Sequence, residues 1–341
     1  MTYLAAAPVL QRCGRSTARA LRASLACAAL VAYASPGRAQ PAAVAAVKRE
    51  AGPQAAEPRP PRTTDELTQL YAAGLGYGAL AGGLAYELGG ERSSFLLLLP
   101  AAGVGALATG ATAWLDHSGH LALGLPQALV TDTLIGLEIA AAWVWRFHTQ
   151  AAPGTPWLDA GSAALLWSGA TAGLAAGIVR YSLSPSPPGR AGLTGSVTLW
   201  TGVLSGLTTG ALTPSTTLRD DRASLATAIG LEAGVLLSSL VGRWLDPSIG
   251  WVRALDAGAT LGTLVGGGTY VLASGGALEE RATLGLAAAG LAAGLTAAVL
   301  WAPQLGLPHR VSVSASPGLG LAGTNSPRRP SLQLTVRLAT D

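Results

Sequence analysis

Three acidic residues lie inside apolar stretches, where an ionisable side chain is costly. Asp132 and Glu138 belong to the stretch 122–145, and Glu232 belongs to the stretch 223–245. A carboxylate within a lipid bilayer is expensive and usually serves a function or a specific partner. We therefore treat these three residues as a candidate site for binding an ion or relaying protons. The alternative is that they hydrogen-bond to neighbouring Ser, Thr or Trp side chains, or face a wet crevice, without any role in transport.

The rest of the sequence nominates no catalytic, cofactor-binding or metal-binding residues. The loop DHSGH at 116–120 brings one Asp and two His together, but its Gly favours an ordinary turn over a metal site. The sequence contains neither HExxH nor GxSxG, no GxxxxGK[ST] occurs, and no GxGxxG lies between a predicted strand and a predicted helix. We accordingly expect a protein that is not an enzyme and has no cofactor.

Eight apolar segments must position the three acids. They span approximately 66–88, 95–115, 122–145, 158–181, 192–213, 223–245, 252–273 and 282–302. Each is close to the ~20 residues that cross the hydrocarbon layer of a bilayer. Six stretches contain no Asp, Glu, Lys or Arg at all: 67–86, 93–115, 160–179, 191–218, 257–278 and 282–309. A surface helix of a soluble protein keeps a charged face, so the pattern predicts an all-α, polytopic membrane bundle of about eight Gly/Ala-rich helices.

Glycines recur at every fourth position in these segments. Residues four apart share one helix face, and such small-xxx-small rows let helices approach closely in lipid. The rows chosen as helix-packing residues are Gly169, Gly173, Gly177, Gly202, Gly206, Gly210, Gly258, Gly262 and Gly266. The phrases LLWSGATAGLAAG at 165–177 and TLWTGVLSGLTTG at 198–210 repeat one design on consecutive segments. We therefore expect the fourth and fifth segments to pack directly against each other along these faces.

A second repeated phrase, LDAG, places an acid near the start of two segments. It occurs at 158–161 and 255–258 and contains Asp159 and Asp256. An acid at a helix N-terminus can accept hydrogen bonds from free backbone N–H groups, so both are expected to cap their helices. The alternative is a paired intramembrane carboxylate site.

The two ends of the chain differ from the apolar segments. Residues 1–39 combine a basic region, a short apolar run and small residues before Gln40, which predicts an export signal. Residues 40–62 are rich in Pro and Ala and predict a disordered linker. The bundle is expected over 63–305, with Thr63 and Glu66 forming a capping box at its start. In the tail, 306–341, the alternating stretches 311–315 and 331–339 predict a short β-hairpin.

The net charge gives no indication of a nucleic-acid partner. The whole chain carries 22 basic and 18 acidic residues, a net charge of +4. Residues 1–39 hold five Arg and no acid, so removing them leaves 17 basic against 18 acidic residues, or −1. The basic character therefore comes from the predicted signal and not from a phosphate-binding surface.

These features favour an integral membrane protein of the bacterial cell envelope with a structural or scaffolding role. Its expected partner is the lipid bilayer, and a second copy or an envelope protein is expected to bind through the C-terminal hairpin. One alternative is a small-solute or ion transporter that uses the intramembrane carboxylates. The second alternative is a periplasmic or outer-membrane-associated helical oligomer that hides its apolar faces by assembly.

Overall fold

The computed structural model describes residues 63–89, 94–152, 154–242, 244–273, 279–303 and 309–311. The predicted signal at 1–39 and the predicted linker at 40–62 lie outside these ranges. So do residues 312–341, which hold most of the predicted C-terminal hairpin.

The described residues form an all-helical bundle of eight helices. Their bounds are α1 Thr64–Gly89, α2 Ser94–His117, α3 Leu125–Thr149, α4 Ala160–Leu183, α5 Pro188–Leu212, α6 Thr216–Val241, α7 Ile249–Ala273 and α8 Glu280–Trp301. Each predicted apolar segment corresponds to one helix, so the all-α prediction is confirmed.

Consecutive helices pair as four antiparallel hairpins: α1 with α2, α3 with α4, α5 with α6, and α7 with α8. Glycines lie at the contact within each pair. A Cβ placed at Gly173 on α4 would collide with the main-chain oxygen of Asp132 on α3. A Cβ at Gly262 on α7 would likewise collide with the main-chain oxygen of Gly290 on α8. In both hairpins the two backbones are too close to admit any side chain larger than a hydrogen atom.

The expected direct packing of the fourth and fifth segments is wrong. Gly169 and Gly173 of α4 lie against α3, whereas Gly202 and Gly206 of α5 lie against Leu231 and Thr227 of α6. Within the described part of the chain, α4 and α5 are not among the helix pairs with extended contact. Each row therefore serves its own hairpin. Spacing shows which residues share a face, but it does not show which neighbour meets that face.

Five of the described helices are long and apolar enough to cross a membrane: α2, α3, α4, α6 and α8. The other three, α1, α5 and α7, are of similar length but contain six glycines each, whereas none of the five contains more than four. Helix α5 packs against α3, α6, α7 and α8, so it occupies the centre of the bundle. Its inward positions include Thr194, Ser196 and Thr198, all buried. A helix surrounded by protein can carry such polar residues because they find partners on its neighbours.

Helix α6 begins earlier than the apolar pattern predicts. The segment was expected from 223, but the helix starts at Thr216 and includes the charged stretch 219–222. Two of these charges have partners on other hairpins: Arg219 pairs with Glu280 of α8, and Asp221 pairs with Arg146 of α3. The apolar pattern does not predict these first turns of α6, because ion pairs and not apolar contacts stabilise them.

Two short strands pair with each other outside the helices. Strand β1, Leu245–Pro247, pairs antiparallel with β2, His309–Val311, and Asp246 lies opposite Arg310. The described start of the C-terminal segment thus pairs with the connection between α6 and α7. The second strand of the predicted hairpin, 331–339, lies outside the described residues.

The predicted capping box at the start of α1 is confirmed. The backbone N–H of Thr63 donates to Glu66 Oε2 at 2.9 Å, and the backbone N–H of Glu66 donates to Thr63 Oγ1 at 3.3 Å. The other carboxylate oxygen of Glu66 accepts from the backbone N–H of Gly124 at 2.8 Å. The cap of the first hairpin therefore also anchors the start of the second.

Candidate functional site

The three predicted site residues lie on two helices, and the structure gives each a different environment. Asp132 and Glu138 lie on α3, while Glu232 lies on α6, which packs against α3. A fourth acid, Asp256 on α7, also lies within the bundle.

Asp132 is held in a buried ion pair. The guanidinium of Arg180 on α4 pairs with its carboxylate: Nε donates to Oδ2 at 2.9 Å, and Nη2 lies 2.8 Å from Oδ1. The remaining Nη1 of Arg180 donates to Thr194 Oγ1 on α5 at 3.3 Å. A hydrogen bond between charged groups is stronger than one between neutral groups. Asp132 therefore ties α3, α4 and α5 together, and its charge is already neutralised.

Glu232 accepts a hydrogen bond from a tryptophan. The indole Nε1 of Trp143 on α3 donates to Glu232 Oε1 at 3.2 Å. Trp143 also packs against the cluster formed by Ala142, Ala228 and Leu231. This contact joins the second hairpin to the third at about the middle of the bundle.

Asp256 is a bundle carboxylate whose environment the sequence did not reveal. Ser196 Oγ donates to its Oδ1 at 2.5 Å, and Trp200 Nε1 donates to the same oxygen at 2.8 Å. The expectation that Asp256 caps its helix is wrong, because α7 begins at Ile249 and places Asp256 about two turns inside. The only sequence signal was the spacing of Ser196 and Trp200, which lie four apart on one face of α5.

Asp159, the other acid of the repeated LDAG phrase, does cap its helix. Its Oδ1 accepts from the backbone N–H of Ser162 at 2.7 Å. Because α4 starts at the end of the bundle where α3 finishes, Asp159 lies far from Asp256. The two acids do not form the paired site that the repeated phrase suggested as an alternative.

Glu138 differs from the other three acids in lacking a donor. Its Oε2 is buried, and no hydrogen-bond partner for that atom occurs among the described residues. A buried carboxylate oxygen without a donor can be satisfied by a proton or by a bound cation. Chemically, Glu138 is therefore the member of the set best placed to exchange a proton or hold a cation, while Asp132 is the least.

The structure thus separates the predicted site into two parts. Asp132 belongs to a structural ion pair with Arg180, whereas Glu138 Oε2 is buried without a hydrogen-bond partner among the described residues. Among the described residues there is no group of three or more His, Cys, Asp or Glu that could hold a metal ion. Asp116 and its neighbouring histidines lie in the turn after α2, where His120 stacks on Trp114 with ring centres 6.2 Å apart.

Comparison with known proteins does not connect this geometry to an established activity. No protein-family model matches the chain, and no curated protein or solved structure shows significant similarity to it.

Proposed function

We propose that the chain is an integral membrane protein with a structural or scaffolding role in the bacterial cell envelope. The main support for a membrane protein is the apolar character of the outer surface of the bundle. Large apolar side chains are exposed on helices throughout the bundle, including Leu107 on α2, Leu212 on α5 and Leu261 on α7. A soluble monomer rarely exposes apolar surface on this scale, whereas lipid covers it without cost.

The scaffolding role is supported by how the hairpins are joined. Within hairpins the backbones meet at glycines, and three polar pairs connect different hairpins. Arg146 pairs with Asp221, Trp143 with Glu232, and Trp200 with Asp256. Such an arrangement favours one fixed geometry, which suits a protein whose task is to hold a position in a membrane.

Alkaline carbonate washing of membranes tests the membrane assignment. The chain is expected to remain in the pellet, and its release into the supernatant would refute an integral protein. That release would instead support the alternative of a periplasmic or outer-membrane-associated helical oligomer, which hides its exposed leucines by self-assembly. Separating inner from outer membranes, together with sequencing of the mature N-terminus, tests the envelope location and the predicted cleavage before Gln40.

The second candidate function is transport of a small solute or an ion, and the environment of Glu138 favours it. A proton or cation bound to Glu138 would supply the partner that its buried Oε2 lacks among the described residues. In this mechanism Glu138 is the exchanging group, Glu232 is the neighbouring carboxylate on α6, and the Asp132–Arg180 pair holds the helices in place.

Glu138→Gln separates the two functions. In proteoliposomes that carry a proton or sodium gradient, a transporter is expected to lose flux when Gln replaces Glu138 or Glu232. The matched control is Glu279→Gln, because Glu279 is an exposed residue just before α8. If both Gln variants carry the flux of the wild type, the carboxylates have no part in transport. If none of the proteins supports flux, the scaffolding role is favoured.

A further inference from the structure

The alternating direction of the helices brings three exposed tryptophans to one end of the bundle. Because consecutive helices are antiparallel, α2, α6 and α8 all finish at the same end. Trp114 lies in the last turn of α2, Trp244 follows α6, and Trp301 is the last residue of α8. Their side chains are 66%, 55% and 63% exposed, respectively. Three large indoles are thus exposed at one level of the bundle. An indole has an apolar ring and a polar N–H group, so it is best accommodated where an apolar environment meets water.

Apolar side chains continue directly below this level. Leu107 lies about two turns before Trp114 on α2, Leu240 lies in the last turn of α6, and Leu300 precedes Trp301 on α8. All three are more than half exposed. The outer surface therefore changes from leucine to tryptophan as it approaches this end, which is the order that a bilayer interface selects.

The opposite end of the bundle carries ion pairs, as does the tryptophan end, where Arg253 pairs with Asp65 and Arg190 with Asp246. Arg146 pairs with Asp221, and Arg219 pairs with Glu280, the first residue of α8. The guanidinium of Arg281 also donates to the main-chain oxygen of Ala211, at the end of α5. Charged groups in this number belong at a water-accessible boundary and not in hydrocarbon.

The distance between the two ends matches a bilayer. From Glu280 to Trp301, α8 rises about 32 Å at 1.5 Å per residue. From Leu125 to Arg146, α3 rises by the same amount, about 32 Å. The hydrocarbon core of a typical bilayer is about 30 Å thick. The two ends of α8 and the two boundary residues of α3 are therefore separated by the same distance, which is close to the thickness of the hydrocarbon core.

We propose that one lipid interface lies at the indoles of Trp114, Trp244 and Trp301, and that the second lies at the ion pairs of Arg146 and Arg219. This placement rests on the proposed integral membrane protein. It assigns the partner of the exposed tryptophans as the headgroup region of a bilayer, and it places Glu138 inside the hydrocarbon layer.

Tryptophan quenching in vesicles tests the first interface. The full chain is reconstituted in phosphatidylcholine brominated either near the carbonyl groups or near the ends of the acyl chains. The shallow bromines are expected to quench most strongly, since three of the four strongly exposed tryptophans lie at the proposed interface. The triple variant Trp114→Phe/Trp244→Phe/Trp301→Phe should reduce shallow quenching by about four-fold, because one of the four exposed tryptophans remains. The matched control, Trp167→Phe, should leave it unchanged, because Trp167 packs on Tyr77 of α1 and its Nε1 is buried.

Thiol labelling tests the second interface, in a background with Cys13 and Cys27 replaced by Ser. A membrane-impermeant maleimide applied to disrupted vesicles, with both faces open, is expected to label Glu279→Cys at least about ten-fold faster than Leu286→Cys. Both positions are exposed in the bundle, so only lipid distinguishes them. Equal labelling would refute the placement.

Flotation of the same vesicles separates this inference from the proposed function. If the chain floats with the lipid but deep bromines quench more strongly than shallow ones, the interface placement is wrong and the membrane assignment stands. If the chain does not float, both are wrong. Flotation together with shallow quenching that falls about four-fold in the triple variant supports both.

Discussion

Replacing Gly173 with alanine is expected to destabilise the second hairpin. A Cβ at this position would collide with the main-chain oxygen of Asp132, and it would lie 2.9 Å from the carbonyl carbon of Asp132 and 3.0 Å from Thr133 Cα. All three contacts are backbone atoms, so no side chain can rotate away. The two helices must separate, or one of them must bend. Overpacking of a close contact costs about 1–3 kcal/mol.

The matched control is Gly103→Ala on α2. No atom lies within 4 Å of a Cβ built at Gly103, so the added methyl group meets only the surroundings of the bundle. Alanine is favoured over glycine within a helix by about 0.8–1.0 kcal/mol. The control is therefore expected to be neutral or slightly stabilising, although the chemical change is identical.

Thermal unfolding in mild detergent, followed by circular dichroism, measures the difference. For a domain of about 250 residues, 1 kcal/mol corresponds to a change in Tm of about 2–4 °C. Gly173→Ala should therefore lower the Tm by about 2–12 °C, while Gly103→Ala should not lower it. If both variants unfold at the same temperature, the close backbone contact between α3 and α4 does not stabilise the bundle, and the packing argument fails.

Three further substitutions test the contacts between elements, each by the change in Tm under the same conditions. Arg180→Gln leaves the buried carboxylate of Asp132 without its partner and should lower the free energy of unfolding by about 3–5 kcal/mol. Adding Asp132→Asn should restore part of this stability. If it restores none, the ion-pair interpretation is wrong. Trp200→Phe removes a hydrogen bond to Asp256 and should lower the free energy of unfolding by about 1–3 kcal/mol. Replacing the exposed Trp244 with Phe should have little effect. Equal effects of the two substitutions would rule out a specific role for the indole N–H of Trp200. Thr63→Ala removes the cap of α1 and should cost about 1 kcal/mol, and an unchanged Tm would show that the first helix turn does not depend on its cap.

The sequence alone was sufficient for the number and type of the helices in the part of the chain that the structure describes. Charge-free runs of 20 or more residues leave no polar face, so those segments had to be helices buried in protein or lipid. The capping box at Thr63 and the cap at Asp159 were also predictable. In both cases the donor and acceptor lie three residues apart, so local sequence contains the whole interaction.

The glycine rows show where sequence information ends. The spacing of Gly169, Gly173 and Gly177 identified a face for close packing, but α3 meets that face instead of α5. Every glycine row offers the same flat surface, so the choice of partner depends on how the whole chain folds. The repeated phrase in α4 and α5 therefore marks two separate hairpin contacts and not one shared contact.

Only the tertiary structure distinguished the four acids. In the sequence, Asp132, Glu138 and Glu232 were equivalent charges in apolar stretches, and Asp256 was assigned to a helix cap. Arg180 neutralises Asp132, and the indoles of Trp143 and Trp200 donate to Glu232 and Asp256 from other helices. These partners lie between 48 and 89 residues away along the chain. Apolar periodicity depends on near neighbours and is readable from the sequence, whereas the state of a buried charge depends on whichever distant residue the fold brings to it.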